Sequence, residues 1–346
     1  MPAAPDASAA TTSPPTTASS TATTDALISG IALRWWQVTA FIEVAGPNAA
    51  TLLDGLCTQA VERIEPGTAR LGLFLDAKAR IIAPAVLHRV PDRPWLDPRS
   101  GEQLDAPSFL LETVPDGIEP LRAHLAKFRL RARVTIEPRQ LGTIALVGAG
   151  TDGLDLDSLP DADGAWTIVD GEARATRAFI GDARACAALV AAIPVATGAI
   201  IAHADAVEAD RIDAGIASLH DLLAGRMPAE VGGMQRAVAL DAGCYLGQEP
   251  VARLHYRGRA NRTLRRLETP NAVSPAFDGN DPAAMLELRR DGNDDVRTAG
   301  RLTTWARRTD GTTTALAMLR RELERDQHVR LAATNVRLRI IDAPDG

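Results

Sequence analysis

The sequence predicts an α+β protein: a body of two similar subdomains followed by a C-terminal β-barrel. Two patterns carry this reading. A strand pair followed by an Asp-started helix occurs twice, over 71–128 and again over 166–193. Beyond Leu267 the texture changes to short segments rich in Thr, Val, Leu and Ile, at 284–290, 296–304, 313–321 and 328–341, a spacing that suits a small barrel. At 346 residues the chain is long enough for two or three domains with real cores.

The elements follow in order. Residues 1–26 are mostly Ala, Thr, Ser and Pro, without Lys or Arg, and read as a disordered polar tail. Thr39–Val44 reads as a strand, and Gly46-Pro47 opens a helix with Leu52, Leu53 and Leu56 on its apolar face. Leu71–Leu75 and Ile81–His88 read as strands joined by a turn at Asp76–Ala79. The Pro-, Asp- and Gly-rich stretch Pro91–Pro107 reads as a loop. Ser108–Val114 returns to a strand, and Asp116 opens a helix whose Ile118, Leu121, Leu125 and Phe128 share a face. Arg133–Glu137 and Thr143–Val147 follow as strands. The second cycle has strands at Trp166–Val169 and Ala173–Ile180, then a helix capped by Asp182 with Ala185, Leu189 and Ile193 inward. His203–Ala214 is a further helix. The chain thus divides into a tail (1–26), two subdomains (27–140 and 141–262) and a barrel (263–346).

Composition narrows the function. The hydrophobic fraction of 46% and charged fraction of 24% are those of a soluble globular protein. A net charge of −6 argues against nucleic acid as a general partner, and no apolar run approaches the ~20 residues needed to span a membrane. The tail has neither the positive start and apolar centre of a secretory signal nor the arginines of a transit peptide. Three cysteines, at 57, 186 and 244, form no disulfide framework or metal pattern, so a reducing cytoplasm is the natural setting. The histidines form no spaced pair, and no zinc site is predicted. A monomer is the default expectation.

The chemistry concentrates in Leu240–Arg266, LDAGCYLGQEPVARLHYRGRANRTLRR. Gly243 and Gly247 bracket Cys244 and Tyr245, indicating a tight loop, and Pro250 sits where a helix begins. Cys244 is then expected just before a helix N-terminus, whose partial positive charge favours a thiolate. Arg253, Arg257, Arg259, Arg262, Arg265 and Arg266 follow, with His255 among them, and mark a local anion site in a net-negative protein. A free cysteine is most often an inert small core residue. That reading holds for Cys57 and Cys186, both expected on apolar helix faces.

GCYLGQE at 243–249, followed by Arg253 and the Arg-Gly at 257–258, resembles the signature KGCYxGQE of the YgfZ-type folate-binding proteins. RIDAG at 211–215, MPAEVGG at 227–233, FIEVAGPNAATLLDGLCTQAV at 41–61 and LDAKARI at 75–81 resemble further blocks of that family, in its order. The resemblance implies the fold of the glycine-cleavage aminomethyltransferases, with a folate-binding body and a C-terminal barrel. It implies tetrahydrofolate as ligand and iron–sulfur client enzymes as partners, in cluster assembly or repair. It assigns the functional thiol to Cys244 and the pterin-holding carboxylate to Glu230, which can accept two hydrogen bonds from amino and ring N–H groups. Tyr245, Gln248, Glu249 and Arg253 join the expected folate-binding set, Arg253 facing the anionic glutamate tail. Trp35 and Trp36 lie where the family may place an aromatic near the folate, with a core anchor as the alternative. Two departures stand out: the motif lysine is Ala242, and the turn glycine after Lys78 is Ala79.

Two other functions compete. One is aminomethyl transfer to tetrahydrofolate, but the position where such enzymes carry an aspartate pair is occupied by Ala83 and Pro84, which cannot steer a cationic amine. The other is a non-catalytic interaction module stabilised by folate, which makes Cys244 dispensable.

Overall fold

The computed structural model describes residues 16–154, 165–168, 175–222, 225–231, 234–258, 260–273, 286–291 and 298–342, with the backbone alone at 35–40, 152–153, 165–168, 175–177, 234–235 and 257. The body is built on one continuous sheet. Its strands are β1 (Ala32–Ala45), β2 (Thr68–Leu75), β3 (Ile81–Leu96), β4 (Gln103–Thr113), β5 (Thr135–Val147), β6 (Ala165–Ile168), β7 (Ala175–Gly181) and the short β8 (Ile200–Ile201). The order is β2-β3-β4-β1-β5-β7-β6, antiparallel throughout, with β8 pairing parallel to β1.

The two strand-pair-and-helix cycles occupy opposite wings of this sheet. On one wing, α2 (Ala49–Asp54) and α3 (Ile118–Arg129) cover Ile42, Val44, Ala85, Leu87, Phe109 and Leu111; on the other, α4 (Ala183–Thr197) covers Leu33, Ile144, Leu146 and Phe179. Both helix layers lie on the same face. A bulge between Trp36 and Thr39 adds a residue to β1, which returns Ile42 to the side that Leu33 faces. The opposite face carries Phe41, Ala69, Val90, Leu110, Leu141 and Ile180, drawn from strands near both ends of the order. β3 and β6 also meet, so the sheet curls around this inner face.

The α4 cap is as expected: Asp182 accepts from the Ala185 amide at 2.8 Å, and the helix ends on Gly198 at φ 71°. Elsewhere the elements differ from the sequence reading. Only 97–102 of the expected loop 91–107 separates β3 from β4, because Trp95 and Ala106 pack on Ala45 and the strands stay paired to Leu96↔Gln103. The prolines are tolerated there because β2 stops pairing at Arg89, leaving an edge, and a bulge between Val90 and Arg93 absorbs Pro91. The two strands expected at 133–137 and 143–147 are the single strand β5. The expected tail is helical over its last residues, in α1 (Ser20–Ser29). Ser19 caps it, and Ala26 and Leu27 pack with Ala32 and Val207, so tertiary burial overrides poor helix propensity. The tail reading over 1–15 lies outside the described residues, as do the side chains of Trp35 and Trp36.

The C-terminal unit is a closed barrel of six strands in the order β10-β11-β12-β9-β14-β13: β9 (Arg262–Thr269), β10 (Glu287–Arg290), β11 (Thr298–Arg307), β12 (Thr313–Arg320), β13 (His328–Leu331) and β14 (Arg337–Ile340). The expected segment 328–341 is thus two strands of one hairpin. Leu267, Leu288, Leu302, Ala317 and Leu338 fill the interior.

A polar latch joins barrel to body. On α5 (Ala204–Asp213), Arg211 reaches the fully buried Asp221 at 3.1 Å, and Asp221 also accepts from the Ser218 amide and hydroxyl and from Thr303 and Thr304 of β11. Asp213 takes both ends of the Arg308 guanidinium, at 2.8 and 2.6 Å, and the Thr314 hydroxyl at 2.7 Å. The RIDAG block is therefore the body's anchor for the barrel. Among the described residues no helix is long and apolar enough to cross a membrane.

Candidate functional site

The GCYLG part of the GCYLGQE segment lies in an irregular loop between α6 (Met234–Ala237) and α7 (Gln248–Arg257), and its Gln248 and Glu249 open α7. Three contacts fix its path. The Leu246 amide donates to the Gly55 carbonyl at 3.1 Å, at the end of α2. Gly247, at φ 85°, lies so close to the β2–β3 turn that a Cβ there would stand 2.6 Å from the Asp76 carbonyl oxygen. Tyr245 is buried among Leu73, Leu75, Ala79, Val251 and the barrel's Met318. Burial pushes its phenol up to about 12.

The preceding segment is clamped from below. The Thr58 carbonyl accepts from the Ala239 amide at 2.8 Å, while Gln59 Nε2 donates to the carbonyls of Leu71 and Arg236 at 2.7 and 3.0 Å. The turn under Gly247 is organised by Asp76, whose Oδ1 accepts from the amides of Lys78 and Arg80 at 2.8 Å each. Ala79 adopts φ 58° although it is not glycine, so the left-handed turn geometry is kept at a cost of roughly 1–2 kcal/mol. Complete burial of Ala79 in the cluster holding Tyr245 offsets it. The blocks at 41–61, 75–81 and 243–249, far apart in sequence, thus close on one another around this loop.

The cysteines divide sharply. Cys244 is exposed, four residues before α7, whereas Cys57 and Cys186 are buried. Cys57 is not on a helix as expected. It bridges Phe74 just beyond α2, and burial pushes its thiol up to about 12. Cys186 lies on α4 as expected, and burial raises its thiol as well.

The remaining predicted residues scatter around the loop. Gln248 begins α7, its amide donating to the Tyr245 carbonyl at 3.2 Å, and Glu249 and Arg253 are exposed along the helix. Glu230 ends the short turn Pro228–Glu230, half-buried, with Oε2 accepting from the Met227 amide at 3.1 Å. Tyr245 is a packing anchor whose ring is directed into the core.

The arginine run does not act as one unit. Arg265 is 1% exposed inside the barrel, with Nε 3.0 Å from Asp342 and Nη1 3.0 Å from the Leu323 carbonyl, and Arg266 also engages Asp342 and the Asp213 carbonyl. These two guanidiniums are neutralised structural elements. The side chains of Arg257 and Arg259 lie outside the described residues.

Two polar groupings escape sequence reasoning. His88 and Glu112, on the inner face of the sheet, pair through Nε2 and Oε2 at 3.0 Å, with His88 Nδ1 buried and unpartnered among the described residues. Arg262 of β9 stands directly opposite Arg320 of β12. Neither pair shares a sequence motif, and only strand register brings its members together. Ala83 lies in the apolar cluster under α3, and Pro84 stands opposite Leu73 on β2, so neither position presents a charge. Among the described residues no group of three or more His, Cys, Asp or Glu is arranged to hold a metal.

Comparison with known proteins follows the same lines. No protein-family model matches the chain. It is 36% identical over 101 residues to the tRNA-modifying protein YgfZ of Vibrio vulnificus, a match spanning 29% of each chain. Longer similarities are 24% identity to the YgfZ of Vibrio atlanticus, over 84% of this chain and 85% of that one, and 26% identity to the mitochondrial iron–sulfur cluster assembly factor IBA57 of Mus musculus, over 73% and 70%. In structure it matches the glycine cleavage system aminomethyltransferase T of Bartonella henselae with a TM-score of 0.67 at 15% identity, covering 94% of this chain and 89% of that one. The chain thus has the fold of the glycine-cleavage aminomethyltransferase and is similar in sequence to the YgfZ and IBA57 proteins.

Proposed function

We propose that the protein binds tetrahydrofolate and supports the assembly or repair of iron–sulfur enzymes, with Cys244 as its working thiol. The observation that carries this reading is the presentation of Cys244: an exposed thiol on a loop clamped at Gly55, Asp76 and the Tyr245 pocket, while the two other cysteines are buried and held as neutral thiols. A structural cysteine has no need of an exposed, fixed position. Similarity to an iron–sulfur cluster assembly factor and to a tRNA-modifying protein supports the client class.

The residues present fit a reduced pterin. Glu230 keeps Oε2 on its own turn, and its other oxygen has no partner among the described residues, so it can accept from ring or amino N–H groups. Tetrahydrofolate supplies a reduced pterin able to carry a one-carbon unit. What this chain contributes is an acceptor carboxylate and a helix-proximal thiol on an anchored loop. Aminomethyl transfer is disfavoured because Ala83 is buried in the apolar core and neither it nor Pro84 carries a charge.

Two measurements test this. Calorimetry should show tetrahydrofolate binding to wild type that weakens at least tenfold in Glu230→Ala, equivalent to about 1.4 kcal/mol; absence of binding by folded wild type removes the folate reading. Alkylation at pH 8 should modify Cys244 alone, leaving Cys57 and Cys186 protected until unfolding. Cys244→Ala should leave stability unchanged yet fail to restore iron–sulfur enzyme activity in cells lacking the protein. Full restoration by that variant would make the chain a non-catalytic module.

A further inference from the structure

Three arginines from distant parts of the chain are brought to one place beside the motif loop. On β12, Leu316 and Met318 face the body, while Ala315, Ala317 and Leu319 face the barrel interior. Arg320 continues the body-facing row. Its cross-strand partner is Arg262, which shares the body-facing side of β9 with Leu264. Met318, two residues along, packs in the same cluster as Tyr245, Ala79 and Val251. The third arginine, Arg226, is fixed at this junction through its backbone: Ile81 of that cluster donates to the Arg226 carbonyl at 2.8 Å and accepts from the Gly225 amide at 2.7 Å.

This arrangement is electrostatically costly as it stands. Like charges directly opposite each other on antiparallel strands repel. Burial and the neighbouring Arg226 and Arg320 guanidiniums lower the pKa of Arg262, and Glu230 compensates only in part. Elsewhere in the same barrel arginines are matched by carboxylates: Arg265 and Arg266 by Asp342, Arg308 by Asp213, Arg330 by Asp291. Among the described residues none of the three junction arginines forms an ion pair, and Arg320 donates only to the Thr298 carbonyl at 2.8 Å. All three are half-buried rather than extended into water.

We propose that Arg226, Arg262 and Arg320 form an oxyanion-binding site at the body–barrel junction, beside the Cys244 loop, for a ligand carrying two or more negative charges as phosphate or as grouped carboxylates. Planar guanidinium forks suit either group, because each can offer two parallel N–H donors to one pair of oxygens. The site adjoins Glu230, the carboxylate proposed to hold the pterin, but neither probe below carries a pterin, so failure of this site and failure of the folate reading are distinguishable. It also uses other residues than the expected contact at Arg253, which is exposed along α7.

Calorimetric titration of the full chain with inorganic pyrophosphate and, separately, with γ-linked triglutamate tests the proposal. Wild type is expected to bind at least one probe, more weakly as salt is raised. Arg262→Gln and Arg226→Gln should each lose roughly tenfold in affinity, as removal of a charge-assisted hydrogen bond predicts. Preference for pyrophosphate assigns the site to a phosphate, and preference for triglutamate to a γ-glutamyl chain. Without ligand, Arg262→Gln should melt at or above the wild-type temperature, since it relieves repulsion. Binding of neither probe by wild type, unchanged affinity in both variants, or a lowered melting temperature for unliganded Arg262→Gln would each overturn the proposal.

Discussion

Replacing Asp221 with alanine is expected to destabilise the protein by about 3–5 kcal/mol, the range for removing one partner of a buried ion pair. Asp221 is fully buried and receives the Arg211 guanidinium, the Ser218 amide and hydroxyl, and two threonine hydroxyls of β11. Its removal leaves Arg211 with Glu208 as its remaining carboxylate partner and orphans donors from both units at once. Burial works against the Arg211 charge, and Glu208 and Asp221 together reverse that and raise its pKa. Because the latch joins body to barrel, the loss should appear as a split urea transition, with the barrel released before the sheet unfolds. Thr303→Val is the milder control, expected to cost about 1 kcal/mol for a single hydrogen bond. A single transition within 1 kcal/mol of wild type for Asp221→Ala would show that the Asp213 contacts and apolar packing hold the units together without Asp221.

The latch also marks the boundary of what the sequence discloses. Hydrophobic periodicity located α3, α4 and α5, and Asp182 announced its own cap, because those signals are local. The long hairpin of β3 and β4 was hidden because Pro91, Pro94 and Pro107 carry the signature of a loop. Their tolerance depends on where β2 stops pairing, which no window of sequence contains. For the same reason α1 was read as tail: its burial is supplied by Ala32 and Val207, not by its own composition. At the site, the motif loop and the exposed cysteine were legible from glycine placement and composition. The arginine run was misleading. Residues 262, 265 and 266 alternate along β9, so Arg265 points into the barrel and Arg262 toward the body, with different partners and opposite consequences. A charge run written on a strand is two half-runs, and only the strand assignment separates them.

Gly247→Ala should disable the site without touching the thiol. Gly247 adopts φ 85°, a conformation that costs an L-residue about 1–2 kcal/mol. Its missing side chain also matters: a Cβ would stand 2.6 Å from the Asp76 carbonyl oxygen and 3.3 Å from both Ala79 Cα and Leu75 Cβ. Two of those atoms are backbone within a turn already fixed by two amide hydrogen bonds donated to the Asp76 carboxylate, so the loop rather than the turn must yield. Displacement should lift Tyr245 from its pocket and break the hydrogen bond from the Leu246 amide to the Gly55 carbonyl, releasing Cys244 from its position before α7. Gly198→Ala separates the two contributions, because Gly198 has φ 71° with nothing within 4 Å of the added methyl. Gly198→Ala should therefore show the conformational cost alone, with iron–sulfur support intact. Gly247→Ala should be less stable than Gly198→Ala by at least about 1 kcal/mol, in the range of overpacking costs, and should lose support as Cys244→Ala does. Equal stability of the two glycine variants, or full support from Gly247→Ala, would mean that the thiol works from a loop free to move.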